Sequence, residues 1–236
     1  NNNDWTSNNL TESDIMVDSP TNNFATLNPL VNVNYNPTLS EGNLKTTYAT
    51  SSQWNGSFGT MSVSSGKYYW ELLGSGSGYF AGVFLDDGTV NYAASPYTYA
   101  QVGMVMIYGE GGSNMSRIDN NDVSGKLFGG TSAGDVIGVA VDMDNGTLAA
   151  YNNNVLKFTM DMTASGHWGS PMTPAHMQHS YGGSSSTYNF GQDSSFAGNK
   201  TSQGNKDSGG IGDFFYAPPA GFLALCTKNL PSVDVI

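Results

Sequence analysis

GDVIGVAVDMDNGTLAAYNNNVLKF, residues 134–158, decides the fold. Apolar and small residues alternate from Val136 to Met143 and again from Leu148 to Tyr151, which is the two-residue period of strands. Between the runs stands Asn145-Gly146, two residues that tolerate positive φ and suit a two-residue hairpin turn. In that register Val141 faces Ala150 and Met143 faces Leu148, so Ile137, Val139, Val141, Met143, Leu148 and Ala150 share one face, predicted to be core. The other face, Val136, Gly138, Ala140, Asp142, Ala149 and Tyr151, is small and mixed rather than charged, the pattern of a strand covered on both sides. Asn152-Asn153-Asn154 then reverses the chain into Val155, Phe158 and Met160.

Working outward, short runs rich in β-branched and aromatic residues recur between Gly, Asn, Asp and Pro clusters, the rhythm of an antiparallel sandwich. Strands are predicted near 25–30, 38–50, 57–63, 67–73, 79–85, 102–108, 115–118, 135–143, 147–152, 155–160, 172–179, 186–190 and 221–226. Residues 1–23 are Asn-rich with isolated apolar anchors and read as an extended arm. Residues 24–198 form the sandwich core. Residues 199–212 lack aromatics and predict a flexible loop. Residues 213–236 open on Asp213-Phe214-Phe215-Tyr216, and three consecutive aromatics are expected to lie back on the domain and close it before a linker begins. The chain starts at Asn1 without an initiator Met or a signal sequence, so it is expected to be processed or part of something longer.

Composition narrows the function classes. Apolar residues make up 38% and aromatics 12% of 236 residues, enough for a sizeable core. No apolar run approaches the roughly 20 residues of a membrane-spanning helix, so membrane insertion is not expected. Charged residues are only 11%, against about 25% in ordinary domains. Such a surface relies on amides and hydroxyls, which keep their hydration at high ionic strength, and reads as extracellular or particle-borne. One Arg and seven Lys in a chain of net charge −11 do not make a groove for phosphates, so nucleic acid is not an expected partner. The single cysteine, Cys226, lies in an apolar run and reads as a small buried hydrophobe.

Catalysis and metals find little support. Four Glu are present, Glu12, Glu41, Glu71 and Glu110, without the alternating array that would set two acids side by side for glycoside hydrolysis. His167, His176 and His179 offer no nucleophile arrangement. His176 and His179 on one strand point to opposite faces, and Asp142 to Gly146 is accounted for by the hairpin. No enzyme activity, no cofactor and no metal are therefore expected.

Several segments carry a resemblance. GDVIGVAVDMDNGTLAAYNNN at 134–154, GKYYWELL at 66–73 with Trp70-Glu71, GYFAGVFL at 78–85 and YNFGQDSSFAG at 188–198 with its Asn-Phe-Gly resemble, in the same order, the motifs of SPRY domains. FATLNPL at 24–30 and GDFFYAPPAGFLALCTKNLP at 212–231 are similar to the borders of SPRY modules in tail or fibre proteins of marine bacteriophages. The resemblance implies an all-β, two-sheet antiparallel sandwich of the SPRY, concanavalin A-like kind, carried on a virion.

Loop aromatics are the remaining candidates for contact. Trp54, Tyr92, Tyr97, Tyr99, Trp168 and Tyr181 fall in predicted loops, and rigid rings beside Asn, Ser and Gly bind with little ordering cost. The resemblance implies that Tyr97, Tyr99 and the Tyr181-Gly182 turn line a site on one edge of the sandwich; Tyr181 replaces the Trp of peptide-binding members. The expected function is attachment of a tail fibre, spike or capsid fibre to a host-surface glycan or envelope protein. The competing expectation is architectural, with these rings packed against other virion proteins or against further copies in a homo-oligomeric fibre.

Overall fold

A computed structural model describes residues 16–33, 37–47, 54–74, 79–86, 103–109, 116–179 and 185–231, with Asn8 in isolation; for residues 31–33, Trp54, Phe80 and His179 it describes the backbone alone. Among these residues the chain forms two sheets and two short 3-10 turns. One sheet runs in the order β1 (Leu27–Val33), β4 (Trp54–Gly59), β13 (Met172–His179), β6 (Tyr79–Leu85), β7 (Met104–Tyr108), β8 (Arg117–Ile118), β9 (Asn121–Asp122). The other runs β12 (Val155–Asp161), β11 (Thr147–Asn152), β10 (Val136–Asp142), β5 (Lys67–Gly74), β14 (Ser185–Asn189), β3 (Lys45–Thr47), β2 (Thr38–Ser40). Every pairing on these paths is antiparallel. The exception lies off them: β15 (Leu223–Ala224) runs parallel to β5 beside Tyr68 and Tyr69, in the lane that β14 vacates after Asn189.

The deciding hairpin forms, with a register two residues away from the expected one. Val139 pairs with Ala150, Val141 with Leu148 and Asp142 with Thr147, leaving Met143 to Gly146 as a four-residue turn. Asp142 causes the difference. Its carboxylate accepts from Asp144 N at 3.1 Å, from Asn145 N at 2.9 Å and from Asn145 Nδ2 at 2.8 Å, so the side chain holds a four-residue turn in place of the two-residue turn that Asn-Gly alone suggests. Gly146 takes φ +67°, and a Cβ there would run into Thr163. Because the slip is two residues and not one, every side chain keeps its face. The two-residue turn of positive φ occurs instead at Asn153-Asn154, with φ 47° and 65°.

Ile137, Val139, Val141, Met143, Leu148 and Ala150 join Tyr68, Trp70, Leu72, Phe158, Met160, Val83, Ile107 and Tyr188 in the core between the sheets. Each fully buried large side chain there contributes roughly 2–3 kcal/mol through apolar burial. The opposite face of β10 is also buried, as its small residues predict. Tyr69, Ala140, Phe24, Phe214, Ala224 and Cys226 make a second apolar layer, formed where the C-terminal segment lies on the outer face. Phe214 sets its ring edge-on to Tyr69 at 5.4 Å.

Other boundaries move. The predicted strand over 38–50 includes a hairpin, because Glu41, Gly42 and Asn43 all take positive φ and split β2 from β3. The strand expected at 57–63 begins earlier, at Trp54, and ends at Gly59. Residues 199–212 are exposed over most of their length, and their polar composition supplies anchors rather than slack. Asp207 accepts from Gly209 N, Ile211 N, Ala224 N and Asn229 Nδ2, each at 2.8 Å, while Asn205 pairs with Phe214. No helix among the described residues is long and apolar enough to cross a membrane.

Candidate functional site

Of the residues proposed for contact, Tyr92, Tyr97, Tyr99, Tyr181 and Gly182 lie outside the described residues, and Trp54 is described by its backbone alone as the first residue of β4. The strands that flank them fix where these segments attach. Trp54 pairs with His179, and Gln178 pairs with Tyr79. The second sheet meets the same end: Ser186 pairs with Gly74, and Ser186 Oγ donates to Gln178 Oε1 at 2.9 Å across the sandwich. Four chain connections, 48–53, 75–78, 110–115 and 180–184, leave from this Trp54 end. The connection 87–102 leaves from the other end, where Leu85 pairs with Met172 and Phe84 with Met104. Strands of this length separate the two ends by about 20 Å. The fold thus brings together the attachment points of Trp54 and of Tyr181-Gly182, and sets those of Tyr92, Tyr97 and Tyr99 at the opposite end. Trp168, the other loop aromatic, packs half-buried against the core.

The acid of the Trp70-Glu71 motif has a structural task. Glu71 is completely buried on the outer face of β5. Its Oε1 accepts from Tyr216 N at 2.7 Å and Tyr69 Oη at 3.2 Å; its Oε2 accepts from Phe215 N at 2.8 Å and Asn189 Nδ2 at 3.2 Å. Burial pushes the carboxyl up to about 7, against the opposing pull of these donors. Asn189 of the Asn-Phe-Gly motif also holds Asp213 O through Nδ2, and its Oδ1 accepts from Gly191 N and Asp193 N. Gly191 sits at φ +118°, and a Cβ there would lie 2.7 Å from Phe24. Both motifs therefore fasten the C-terminal segment to the sheet.

The remaining titratable candidates are likewise parts of the frame. His176 is buried between the rings of Tyr79 and Tyr188, with centroids at 6.4 and 5.4 Å, and burial lowers its imidazole to about 3. Asp142 would be raised by burial, but Lys67 at 2.8 Å and the turn donors outweigh it and hold the carboxyl below its usual range. Cys226 is buried, and burial raises its thiol, as the apolar run around it predicts. Glu41 sits on the β2–β3 turn; Glu12 and Glu110 lie outside the described residues. Among the described residues no group of three His, Cys, Asp or Glu is placed to hold a metal ion.

No family model matches the sequence, and no curated protein matches it. Solved structures do. The SPRY domain of human HERC1 superposes with a TM-score of 0.52 at 18% identity, covering 69% of this chain and 96% of that one. The PSpry domain of TRIM65 gives a TM-score of 0.52 at 15% identity, covering 70% of this chain and 89% of that one. The fold is SPRY-like. On this SPRY-like frame one feature has no counterpart in the sequence motifs. A groove of about 280 Å³ opens on the outer face at the Trp54 end, lined among others by Lys45, Thr187, Ser185, Lys200 and Gly134. Its lining residues are far apart in the chain and meet through the β3–β14–β5 pairing and the segments at 133–134 and 199–200, so no local signal marks them.

Proposed function

We propose that this chain is a non-enzymatic recognition module of a phage particle, part of a tail fibre, spike or capsid fibre, that binds a host-surface glycan or envelope protein. The observation that carries the reading is the gathering, at the Trp54 end, of the strand ends from which four connections leave, on a two-layer frame whose buried carboxylate and imidazole are committed to structure. Loops on a rigid scaffold are where binding residues concentrate. The sparse charge of the chain suits contact by shape, ring stacking and amide hydrogen bonds in a salty medium, and several weak copies on one particle multiply into firm attachment. The likeness of residues 24–30 and 212–231 to the borders of phage modules supports the virion. Adsorption of the full chain to host cells and to a glycan array tests the reading. Tyr181→Ala is expected to weaken adsorption about tenfold or more, as loss of a rigid aromatic anchor does; a variant that adsorbs like the parent refutes the site.

A second reading is favoured by the sheet edges. Leu30 is 90% exposed on edge strand β1, and Val155 and Leu156 are 61% and 52% exposed on edge strand β12. These suit contacts with other virion proteins or further copies. A map of the particle separates the two: distal exposure of the Trp54 end supports recognition, and burial of both edges and that end supports assembly.

A further inference from the structure

The groove at the Trp54 end lies where the C-terminal segment stops covering the outer face of the eight-stranded sheet. Its floor is a cross-strand row. Lys45 on β3 pairs with Thr187 on β14, and Thr187 pairs with Leu73 on β5, so their side chains stand next to one another on one face. Leu73, Gly74 and Ser185 also line it, together with Ala133, Gly134, Asn199 and Lys200. The Lys200 ammonium stands 5.6 Å from the centre of the Phe215 ring, and a Cβ on Gly134 would lie 3.8 Å from its Nζ. The ring and the glycine thus position the head group over the groove.

Two of the eight cations of a strongly acidic chain meet here. The ion pairs among the described residues, Lys67 with Asp142 and Arg117 with Asp122, involve neither of them. The nearby acid, Asp135, feels the Lys200 charge, but its oxygens accept from Ser132 N and Asn153 Nδ2, each at 2.8 Å. We propose that this groove is a binding site for the carboxylate of an acidic sugar, such as a uronic acid unit. Lys45 and Lys200 meet the carboxylate as point charges, while the Thr187 hydroxyl and the second N–H and the oxygen of the Asn199 amide, whose Nδ2 also donates to Phe196 O at 2.6 Å, bond the ring hydroxyls. The volume is at the small end for ligand sites, which suits one or two sugar rings rather than a long chain. The biological source of the sugar, a host envelope, rests on the recognition reading above; the chemistry of the groove does not.

Titration of the full chain with a digalacturonate, with its neutral digalactose counterpart and with sulfate tests the site by calorimetry or ligand-observed NMR. Digalacturonate is expected to bind, with affinity that falls as NaCl rises, and to lose about tenfold in Lys45→Gln and again in Lys200→Gln, as hydrogen bonds to a charged group imply. Equal binding of the neutral sugar, equal binding of sulfate, or unchanged affinity in both variants overturns the proposal. Lys45 and Lys200 are partly exposed, so the variants are expected to fold, and their unchanged melting confirms that a loss is local. Host-cell adsorption separates the two readings. A double variant that adsorbs normally but fails to bind digalacturonate leaves the groove standing as a site apart from attachment. A parent that binds digalacturonate but not cells removes the attachment reading alone.

Discussion

Glu71 and His176 are both completely buried ionisable groups, one on each sheet, and the protein treats them in opposite ways. Glu71 faces outward from β5 into four donors, two of them backbone N–H groups of Phe215 and Tyr216. His176 faces into the core from β13, between two tyrosine rings. A carboxylate takes four donated hydrogen bonds without giving one, so it can join a strand to an irregular segment that has no sheet to pair with. An imidazole among rings fills space and stays neutral. At Glu71 the outer face of the eight-stranded sheet gains a polar clasp over its apolar layer, and at His176 the seven-stranded sheet fills the core with a ring.

Replacement at the two sites gives the largest contrast. Glu71→Ala leaves the Phe215 and Tyr216 amides, the Tyr69 hydroxyl and the Asn189 amide without their acceptor, and unmet buried donors cost about 1–3 kcal/mol each before water refills the space. A loss of about 4 kcal/mol in urea unfolding at pH 7 is expected, with earlier proteolysis of residues 199–220. His176→Phe keeps the volume and is expected to lose less than about 1.5 kcal/mol at the same pH. Equal losses at the two positions would end the distinction between a polar clasp and a packed ring.

Acid titration sharpens the contrast in sign. Glu71 is raised from 4.5 to about 7 in the fold, so its contribution is full below pH 4.5 and is lost as pH rises through 7. His176 is lowered from 6.5 to about 3, so its contribution is full above pH 6.5 and is lost as pH falls toward 3. Between pH 4.5 and 6.5 the two slopes oppose each other. His176→Phe removes one of them, so its stability relative to the parent is expected to rise by about 2 kcal/mol on going from pH 6.5 to 4.5. Urea midpoints at the two pH values check this, and parallel curves for parent and variant would place the imidazole in contact with water.

The sequence exposed what depends on period and local turn chemistry. The β10–β11–β12 meander, its faces and the return of Phe214 to the domain were all readable from alternation and aromatic clustering. The hairpin register was not, because Asn145-Gly146 suggests a two-residue turn while Asp142, one position before the turn, overrides it with three accepted hydrogen bonds. Composition predicts an exposed, flexible loop over 199–212 and does not reveal anchors such as Asp207, which looks like a loop residue until its partners at Ala224 and Asn229 are known. Loop aromatics stand out in the sequence, but sequence alone does not tell which end of a strand a loop leaves from. That needs the pairing of β6 with β13, which sets the strand ends flanking 87–102 at the opposite end from Trp54. The groove between Lys45 and Lys200 is assembled from five distant segments and has no local signature at all.

The smallest effect tests the clasp one donor at a time. Tyr69→Phe removes the hydroxyl that donates to Glu71 Oε1 at 3.2 Å while keeping the ring against Phe214. Losing one hydrogen bond of this kind is expected to cost about 1 kcal/mol. The hydroxyl is also one of the groups that hold the Glu71 carboxyl down, so its removal lifts that carboxyl further above its ordinary value. The fall in stability that Glu71 imposes with rising pH should then continue past the pH near 7 where the parent levels off. A Tyr69→Phe curve that is lower by the same amount at every pH from 5 to 8 would show that the hydroxyl fills space beside the clasp without donating to it.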